Sequence, residues 1–181
     1  MLQTALRQKA CTVCKGPFVP FQSMQIVCSP GCARRVPILA RKRLIAEKRR
    51  DRARLEAMKP LSHWTRLAQE QFNAWIRARD VALPCISCGR LHGGKVNAGH
   101  YLSTGARPEL RFDEQNVHKQ CEPCNTSLAG NLILYRIELL RRIGPAAVER
   151  LEGPHEPKKY TREQLQAIRD DYRARLKALT L

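Results

Sequence analysis

Apolar side chains are sparse along residues 36–58, where polar and charged residues dominate. They form one thin, irregular stripe at helical spacing and leave most of the helix surface polar. The pattern predicts a long, mostly exposed helix that ends before Pro60, because the residue before a proline disfavours helical geometry. The stripe consists of Ile38, Leu39, Ile45, Leu55 and Met58.

A denser apolar pattern follows over residues 62–79 and predicts a second helix of a different kind. Its apolar positions share one face and are Trp64, Leu67, Phe72, Trp75 and Ile76. We expect this face to be buried in the core. Ser62 is the predicted N-cap, since a serine oxygen can accept a hydrogen bond from a free N–H group of the first turn.

From Pro84 the pattern changes to short apolar runs separated by glycines. Glycine-rich connections between short runs are typical of turns and hairpins. Residues 96–102 are predicted to form a short strand. This part of the chain is therefore expected to contain a hairpin.

Helical spacing returns after the hairpin. A helix is predicted to begin near Cys121, with Pro123 in its first turn, where the missing N–H of proline has no cost. It continues over residues 132–143 after a break at Gly130, and the Gly-Pro pair that follows ends it. These elements place a helix directly after the predicted hairpin.

The last segment predicts an amphipathic helix. Thr161 and Gln164 have the spacing of a capping box, in which two side chains satisfy each other's backbone N–H groups. The apolar face consists of Leu165, Ile168, Tyr172, Leu176 and Leu179. This face could pack on the body of the protein or on a second copy of the chain, so a homodimer is left open.

Charge adds information about the partner. The 181 residues include 33 lysines and arginines against 16 acidic residues, a formal net charge of +17. Such an excess favours a polyanionic partner. No stretch approaches the ~18 consecutive apolar residues of a membrane helix, and the first residues lack the apolar run of a signal peptide. We therefore expect no membrane partner and no export.

The eight cysteines fall into four close pairs. Two pairs on tight turns can supply the four thiolates that Zn²⁺ prefers in structural sites. The sequence predicts two structural zinc sites, with disulfides as the alternative. Zinc site 1 would use Cys11, Cys14, Cys28 and Cys32, and zinc site 2 would use Cys85, Cys88, Cys121 and Cys124.

These features predict a small, zinc-stapled α+β protein of four segments. Residues 1–33 would form an N-terminal zinc finger and residues 34–60 a long basic helix that acts as a linker. Residues 61–144 would form a module with the second zinc site, and residues 145–181 a C-terminal helical segment.

His100 lies between the two cysteine pairs of zinc site 2, and Asn125 directly follows the second pair. These two residues are the best placed for chemistry. His100 lies near the end of the predicted strand, and Asn125 directly follows Cys124. A zinc site that fixes the hairpin against the helix would hold these side chains opposite each other, with the rigidity that catalysis requires. The alternatives are a structural histidine and an asparagine that caps a turn.

At these residues the sequence resembles the HNH, or ββα-metal, nucleases, in the subset whose active site is framed by zinc knuckles. Within that subset it is similar to the NinG (Rap) family of lambdoid phages, which are recombination nucleases that act on branched DNA. Besides the N-terminal cysteines and the basic segment, the resemblance runs through residues Trp75–Asp80, Cys85–Gly89, Ala98–Tyr101, Leu110–Glu114, Asn116–His118 and Cys121–Asn125.

The resemblance implies three catalytic roles. His100 would be the general base for the attacking water, and Asn116 would constrain the loop and help to orient the imidazole. Asn125 would bind a divalent catalytic ion, Mg²⁺ or Mn²⁺.

Two positions depart from the family pattern. Gly99 stands where many HNH enzymes have a metal-binding aspartate, and Asn125 stands where histidine is more usual. Weak binding of the catalytic ion follows. Asn131, Asp113 and His118 are supplementary candidates for the metal site.

Phosphate contacts are predicted for basic residues of the linker helix and of the loop between His100 and Asn116. A solvated linker helix and solvated loop charges are the alternatives. The predicted DNA-binding residues are Arg41, Lys42, Arg43, Lys48, Arg49, Arg50, Arg52, Arg54, Arg107 and Arg111.

The resemblance therefore implies a metal-dependent, structure-selective endonuclease that cuts branched double-stranded DNA, such as Holliday junctions and D-loops. It would act in the cytoplasm of the bacterial host of a phage or prophage, with recombination proteins as further partners left open. The rival interpretations are a non-catalytic zinc module that binds nucleic acid and a recombination adaptor protein.

Overall fold

The computed structural model describes residues 7–91 and 93–179. It divides at the Lys59–Pro60 boundary into two compact units, called here the N-terminal unit and the C-terminal unit. The N-terminal unit contains β1 (Lys9–Ala10), β2 (Pro17–Phe18) and α1 (Pro30–Ala57). The C-terminal unit contains α2 (Leu61–Arg79), β3 (Val96–His100), β4 (Val117–Cys121), α3 (Leu132–Ile143), α4 (Pro145–Glu152) and α5 (Arg162–Leu179).

Helix α1 begins six residues earlier than predicted, within the second cysteine pair. Ser29 caps it, since its Oγ accepts a hydrogen bond from the Cys32 N–H at 3.2 Å, and Pro30 occupies the first turn. The predicted start at residue 36 is wrong because the cysteine pattern concealed this cap. The predicted end before Pro60 and the exposed helix surface are confirmed, and Cys32 is the buried residue of α1.

Helix α2 carries the predicted buried face, with Trp64, Phe72, Trp75 and Ile76 all buried. The predicted Ser62 cap is wrong. Pro60 is the N-cap instead and has no side-chain cap bond; its extended backbone (φ −67°, ψ 159°) leads the chain into the helix.

Helix α5 packs along α2, so its apolar face lies on the body of the protein. Leu165 is fully buried, and the Tyr172 ring meets the Phe72 ring edge-on with centroids 4.8 Å apart. The predicted capping box is confirmed, since Gln164 Oε1 accepts from the Thr161 N–H at 2.9 Å and Thr161 Oγ1 accepts from the Gln164 N–H at 3.3 Å.

Strands β3 and β4 form the predicted hairpin, with Val96 opposite Cys121 and His100 opposite Val117. One face packs on α2 through Val117 and Ala98, next to Phe72. β3 ends two residues before the predicted Leu102, because the Tyr101 and Leu102 N–H groups bond to Asn116 at the turn of the chain.

A short π-helical turn, Pro123–Ser127, follows β4 and is separated from α3 by a break at Gly130, as predicted. Gly130 and Asn131 have positive φ angles of 88° and 45°, so the chain leaves helical geometry there. The Gly-Pro pair at residues 144 and 145 ends α3, but it also begins α4, which the sequence pattern did not reveal.

Helices α3 and α4 pack with the outer side of the hairpin around a second group of buried side chains. Tyr135, Leu139, Val148 and Leu151 are fully buried there. The Tyr135 ring lies 5.5 Å from the Tyr101 ring, which follows β3 directly. The hairpin is therefore held between α2 with α5 on one side and α3 with α4 on the other.

Candidate functional site

Each predicted cysteine set is assembled by the fold. In both sets the four sulfur atoms lie within 4.8 Å of one another. All eight cysteines are free thiols, and the Cys14–Cys28 sulfur distance of 3.6 Å is well beyond the ~2.05 Å of a disulfide bond. The two clusters could therefore each hold a metal ion, and their thiol chemistry fits structural zinc.

Backbone N–H groups already favour one thiolate in the first cluster. The N–H groups of Cys14 and Cys28 hold the pKa of Cys11 at about 6, and the Cys28 N–H lies 3.4 Å from its sulfur. Hydrogen bonds from the neighbouring thiols, Cys14 first and Cys32 second, raise the pKa of Cys28 to about 12. Without a cation, one thiolate in the cluster thus disfavours the ionisation of the neighbouring thiols. A divalent cation at the centre would stabilise all four thiolates together.

The second cluster repeats this electrostatic pattern at greater burial. Burial raises the pKa of Cys85, but the N–H groups of Cys88, Cys121 and Ser87 outweigh it and bring the pKa to about 7. Burial raises the pKa of Cys121 to about 12. Three of the four thiols in this cluster, all but Cys88, are buried.

A cleft of about 450 Å³ lies beside the second cluster, between the end of β3 and the turns that follow β4. It brings together His100 and Asn125, the predicted base and the predicted ligand of the catalytic ion. Hydroxyl-bearing Ser103 and Thr104 also line it. The remaining lining residues are Ala98, Tyr101, Leu102, Ala106, Ala129, Gly130 and Leu132.

The His100 ring is oriented by a backbone carbonyl. Its Nε2 lies 3.0 Å from the Arg111 carbonyl oxygen, which can only accept, so Nε2 carries the hydrogen and donates. Nδ1 is then the ring nitrogen that can take a proton. Burial lowers the pKa of His100, and the charge of Arg111 lowers it further against the opposing effect of the carbonyl. The imidazole is therefore neutral near pH 7, as a base must be.

Asn116 lies behind the cleft and ties its loop together. It is fully buried, and its Oδ1 accepts from the Leu102 N–H at 2.9 Å. Its Nδ2 donates to the carbonyl oxygens of Leu102 at 3.0 Å and Leu110 at 3.3 Å. Asn116 thus joins both ends of the loop that also supplies the carbonyl bound to His100.

Gly99 has no room for a side chain. A Cβ atom there would lie 2.1 Å from Oε1 of Gln120 and 3.0 Å from its Cβ. Gln120 is itself held in place, because its Nε2 donates to Ser87 Oγ at 2.7 Å and to the Gly130 carbonyl at 2.5 Å. A glycine within a strand is typical of a position that another group approaches closely. Gly99 was therefore the sequence signal that a side chain, here Gln120, packs against the strand.

Tyr135 is a further residue that contacts the strand next to His100, and sequence reasoning missed it. Its hydroxyl donates to the Gly99 carbonyl at 2.9 Å from a fully buried position on α3. This bond fixes the backbone directly before His100. Nothing in the helical pattern of α3 distinguished Tyr135 from an ordinary core residue.

His118 lies in a buried charge network on the hairpin. Its Nδ1 is 3.2 Å from Arg79 Nη2 and 3.7 Å from Asp80 Oδ2. Burial raises the pKa of Asp80, but hydrogen bonds from His118, Arg79 and the Lys119 N–H outweigh it and hold the pKa well below its usual range. The structure thus places His118 among hydrogen-bonding and charged partners, and His118 is not among the described residues that line the cleft.

The other supplementary candidates also have partners. Asp113 pairs with Arg150 at 2.9 Å, and Asn131 Nδ2 donates to the Cys124 sulfur at 3.7 Å, next to the second cluster. Among the described residues that line the cleft, none carries a carboxylate. The Tyr101 hydroxyl is bonded to Glu152, so Asn125 with the Ser103 and Thr104 hydroxyls is the remaining side-chain oxygen donor set that the cleft offers.

Comparison with known proteins gives the family. The model of the family described as "Bacteriophage Lambda NinG protein" matches residues 3–181. The chain belongs to the NinG family. Protein ninG of Salmonella phage P22 is 40% identical over 195 residues, with 99% of this chain and 96% of the relative covered. Protein ninG of Escherichia phage 933W is 41% identical over 188 residues, with 95% and 94% covered. No solved structure matches the chain.

The two loop arginines of this NinG family member are engaged by neighbouring groups. Arg107 pairs with Glu109 at 2.6 Å and donates to the Gly153 carbonyl at 2.6 Å. Arg111 donates to Gln69 Oε1 at 3.3 Å. Neither arginine is among the described residues that line the cleft.

The predicted phosphate-binding residues of α1 are all exposed in this NinG family member. They are Arg41, Lys42, Arg43, Lys48, Arg49, Arg50, Arg52 and Arg54. Acidic residues on the same stretch are Glu47 and Asp51. Within the described residues, no helix has the length and apolar character needed to span a membrane.

Proposed function

We propose that this NinG family member is a metal-dependent DNA endonuclease of the HNH type. The ββα-metal core would consist of β3, β4 and the π-helical turn with α3. The observation that carries the proposal is the cleft that His100 and Asn125 both line. It contains a neutral imidazole with a fixed orientation and a side-chain oxygen that could bind a metal ion. The basic surface of α1 supports DNA as the substrate, as the sequence resemblance to recombination nucleases implies.

In the proposed reaction, His100 Nδ1 takes a proton from a water molecule, and the resulting hydroxide attacks the phosphorus in line. The 3′-oxygen leaves with the electron pair of the broken P–O bond. The Arg111 carbonyl keeps Nε2 protonated, so Nδ1 is the ring nitrogen that can accept the proton. Asn116 and Tyr135 act as positioning residues, since they hold the loop and the strand that support the ring.

A divalent ion fits the donor set of the cleft. Asn125 and the hydroxyls of Ser103 and Thr104 present neutral oxygen atoms, which suit Mg²⁺ or Mn²⁺ better than zinc. Such an ion would supply positive charge for the departing oxygen. With no carboxylate among the described lining residues, phosphate oxygens and water would complete its shell, so binding is weak without DNA. The two cysteine clusters would hold zinc and remain structural.

The proposed substrate is branched double-stranded DNA in the cytoplasm of the bacterial host, as in Holliday junctions and D-loops. The eight exposed basic residues of α1 would bind phosphates of the flanking duplex without reading sequence. Recombination proteins of the phage or host are the partners that such a substrate would bring together.

Cleavage of a labelled four-way junction with Mg²⁺ or Mn²⁺ tests the proposal. His100→Ala should lower the cleavage rate by at least ~10²-fold with little change in junction affinity, because the base acts only on the water. His63→Ala is the matched control, since His63 lies on α2 outside the cleft. Near-normal cleavage by His100→Ala would rule out this mechanism.

Asn125→Ala distinguishes the role of metal ligand, proposed for Asn125, from the role of general base, proposed for His100. It should also abolish cleavage, but a higher Mn²⁺ concentration should restore part of the rate by mass action on the ion. No metal concentration should restore His100→Ala. Both variants need the same preparation as the unaltered protein, so that a contaminating nuclease is recognised by activity that survives in them.

The pH profile gives an independent test of the base. Since burial lowers the pKa of His100 from its ordinary ~6.5, cleavage should fall only as the pH drops through an apparent pKa below that value. Above it the imidazole is neutral and the rate should level off. An acid limb centred above pH 7 would indicate a different base.

A non-catalytic DNA-binding module is the second candidate function. The observation in its favour is the lack of a carboxylate among the described residues of the cleft, which leaves a single amide as the side-chain carbonyl ligand. Such a protein would bind the junction through α1 and leave it intact in every metal. The cleavage assay therefore decides between the two candidates.

A further inference from the structure

The loop between the two cysteine pairs of the N-terminal unit exposes large apolar side chains. The exposed fractions are 95% for Phe21, 86% for Met24, 68% for Val19 and 54% for Ile26. We call these four residues the apolar tip. Exposed apolar groups gathered on a short loop are typical of a contact surface, because burying them would be favourable in any complex.

The apolar tip is held by an ordered turn. Gln25 Oε1 accepts from the Phe21 N–H at 2.6 Å, and Gln25 Nε2 donates to the Val27 carbonyl at 2.8 Å. The Thr12 N–H donates to the Ile26 carbonyl at 3.0 Å, which ties the loop to the first cysteine pair. The tip therefore presents Phe21 from a fixed backbone, so little conformational freedom is lost when the ring binds.

Charge decides which partner chemistry the tip fits. The same unit carries the eight exposed basic residues of α1, and among its residues Glu47, Asp51 and Glu56 are the acidic ones. A unit that has both an exposed apolar ring and many cations complements a partner that combines flat, apolar faces with negative charge. Nucleic acid has both, since each base offers a π-face and each phosphate a charge.

We propose that Phe21 stacks on an unpaired or unstacked base at the branch point of DNA, while α1 binds phosphates of the adjoining duplex. In an intact duplex the bases are already stacked, so inserting a ring costs unstacking energy. A branch point offers a base step that is already open. The tip would therefore favour branched DNA over linear duplex without reading sequence.

This inference rests on the proposed DNA substrate but not on the proposed hydrolysis. Its test is binding to three probes: a four-way junction, a splayed fork and a linear duplex of the same sequence. No Mg²⁺ or Mn²⁺ is added, so strand cleavage does not enter the result. Failure here leaves the cleavage results for His100→Ala untouched, and the reverse also holds.

Phe21→Ala should weaken binding to the junction and the fork about tenfold, which is in the range for one base stacked on an aromatic ring. Binding to the linear duplex should change by less than twofold, and the salt dependence should stay the same because no phosphate contact is lost. Phe21→Trp should keep the preference for branched DNA. Leu55→Ala, at a 66% exposed position of α1, is the matched control and should change nothing.

A fluorescent base analogue gives the direct readout. With 2-aminopurine at the branch point, binding of the unaltered protein should change its emission through stacking, and Phe21→Ala should bind without that change. An unchanged affinity of Phe21→Ala for the junction and the fork, or an equal loss on all three probes, would overturn the proposal. An unchanged zinc content in Phe21→Ala shows that the unit has kept its structure.

Discussion

The two four-cysteine clusters have the same ligands but very different surroundings. In the described part of the N-terminal unit, the buried residues are Cys11, Pro20 and Cys32. The C-terminal unit contains, besides its cysteine cluster, three groups of buried apolar side chains that join α2, α5, the hairpin, α3 and α4. A metal ion in the first cluster would thus replace the hydrophobic core that the N-terminal unit lacks. A metal ion in the second cluster would add to the hydrophobic core that the C-terminal unit already has.

This difference indicates what each metal ion would do. In the N-terminal unit it would provide most of the folding free energy, since the chain there buries little apolar surface. In the C-terminal unit it would fix the turn after β4, which carries Asn125, against the turn at Cys85 and Cys88. The comparison can be tested by perturbing both units in parallel.

Removal of the metal should have the largest effect. The protein should carry about two zinc ions, and structural zinc sites contribute ~10–16 kcal/mol in small domains. A strong chelator should therefore abolish the amide protection of residues 7–59, while α2 and α5 keep most of theirs. Hydrogen exchange read by mass spectrometry gives this comparison region by region. Equal loss of protection in both units would refute the difference proposed here.

A matched pair of phenylalanine substitutions should have the next largest effect. Phe72 is fully buried between α2 and α5, whereas Phe21 is 95% exposed. Phe72→Ala should lower the free energy of unfolding of the C-terminal unit by about 3–5 kcal/mol through the cavity that it leaves. Phe21→Ala should change stability by less than about 0.5 kcal/mol. Urea denaturation checks both, and a large effect of Phe21→Ala would show that the tip packs on the protein.

A pair of glycine substitutions should have a smaller effect. Gly99→Ala would force a Cβ against Gln120 and should cost about 1–3 kcal/mol by overpacking. At Gly16, by contrast, a Cβ would meet the Cys14 sulfur at an ordinary 3.6 Å, so Gly16→Ala should be tolerated. Thermal denaturation measures both. If Gln120→Ala fails to reduce the cost of Gly99→Ala in the double variant, the contact with Gln120 is not its cause.

The helix caps should have the smallest effect, at about 1 kcal/mol each. Ser29→Ala removes the cap of α1, and Thr161→Ala removes half of the capping box of α5. The loss at Ser29 should appear as faster exchange in the first turn of α1 only. The loss at Thr161 should lower the stability of the whole C-terminal unit, because α5 packs along α2. Global destabilisation by Ser29→Ala would mean that the two units unfold together.

Elements with a strong local signal were predicted well from the sequence. The capping box of α5, the buried face of α2, strand β3 and the break at Gly130 follow from side chains close together in the chain, whereas the position of strand β4 was not predicted. The four cysteine pairs likewise predicted both clusters, because the spacing within each pair brings two sulfurs to one turn. The family itself was predicted from the motifs around His100 and Asn125.

Features that depend on distant backbone groups were not predictable. The hydrogen bond from His100 to the Arg111 carbonyl and those from Asn116 to Leu102 and Leu110 involve main-chain atoms, which every residue type has. The start of α1 was missed because Cys28 and Cys32 suggested a turn rather than a helix. One partner of Arg107, the Gly153 carbonyl, and the partner of Asp113, Arg150, come from the α4 region, which the pattern did not reveal.

The length of α1 sets a scale on the proposed substrate. Its 28 residues, at about 1.5 Å each, extend for about 42 Å. Duplex DNA carries two phosphates for every ~3.4 Å of its axis, so a helix of this length lying along a duplex matches about twelve base pairs. That is slightly more than one turn of the double helix. Within this length the exposed basic residues from Arg41 to Arg54 extend for about 20 Å, or about six base pairs, so a junction arm shortened below about six base pairs should begin to lose phosphate contacts.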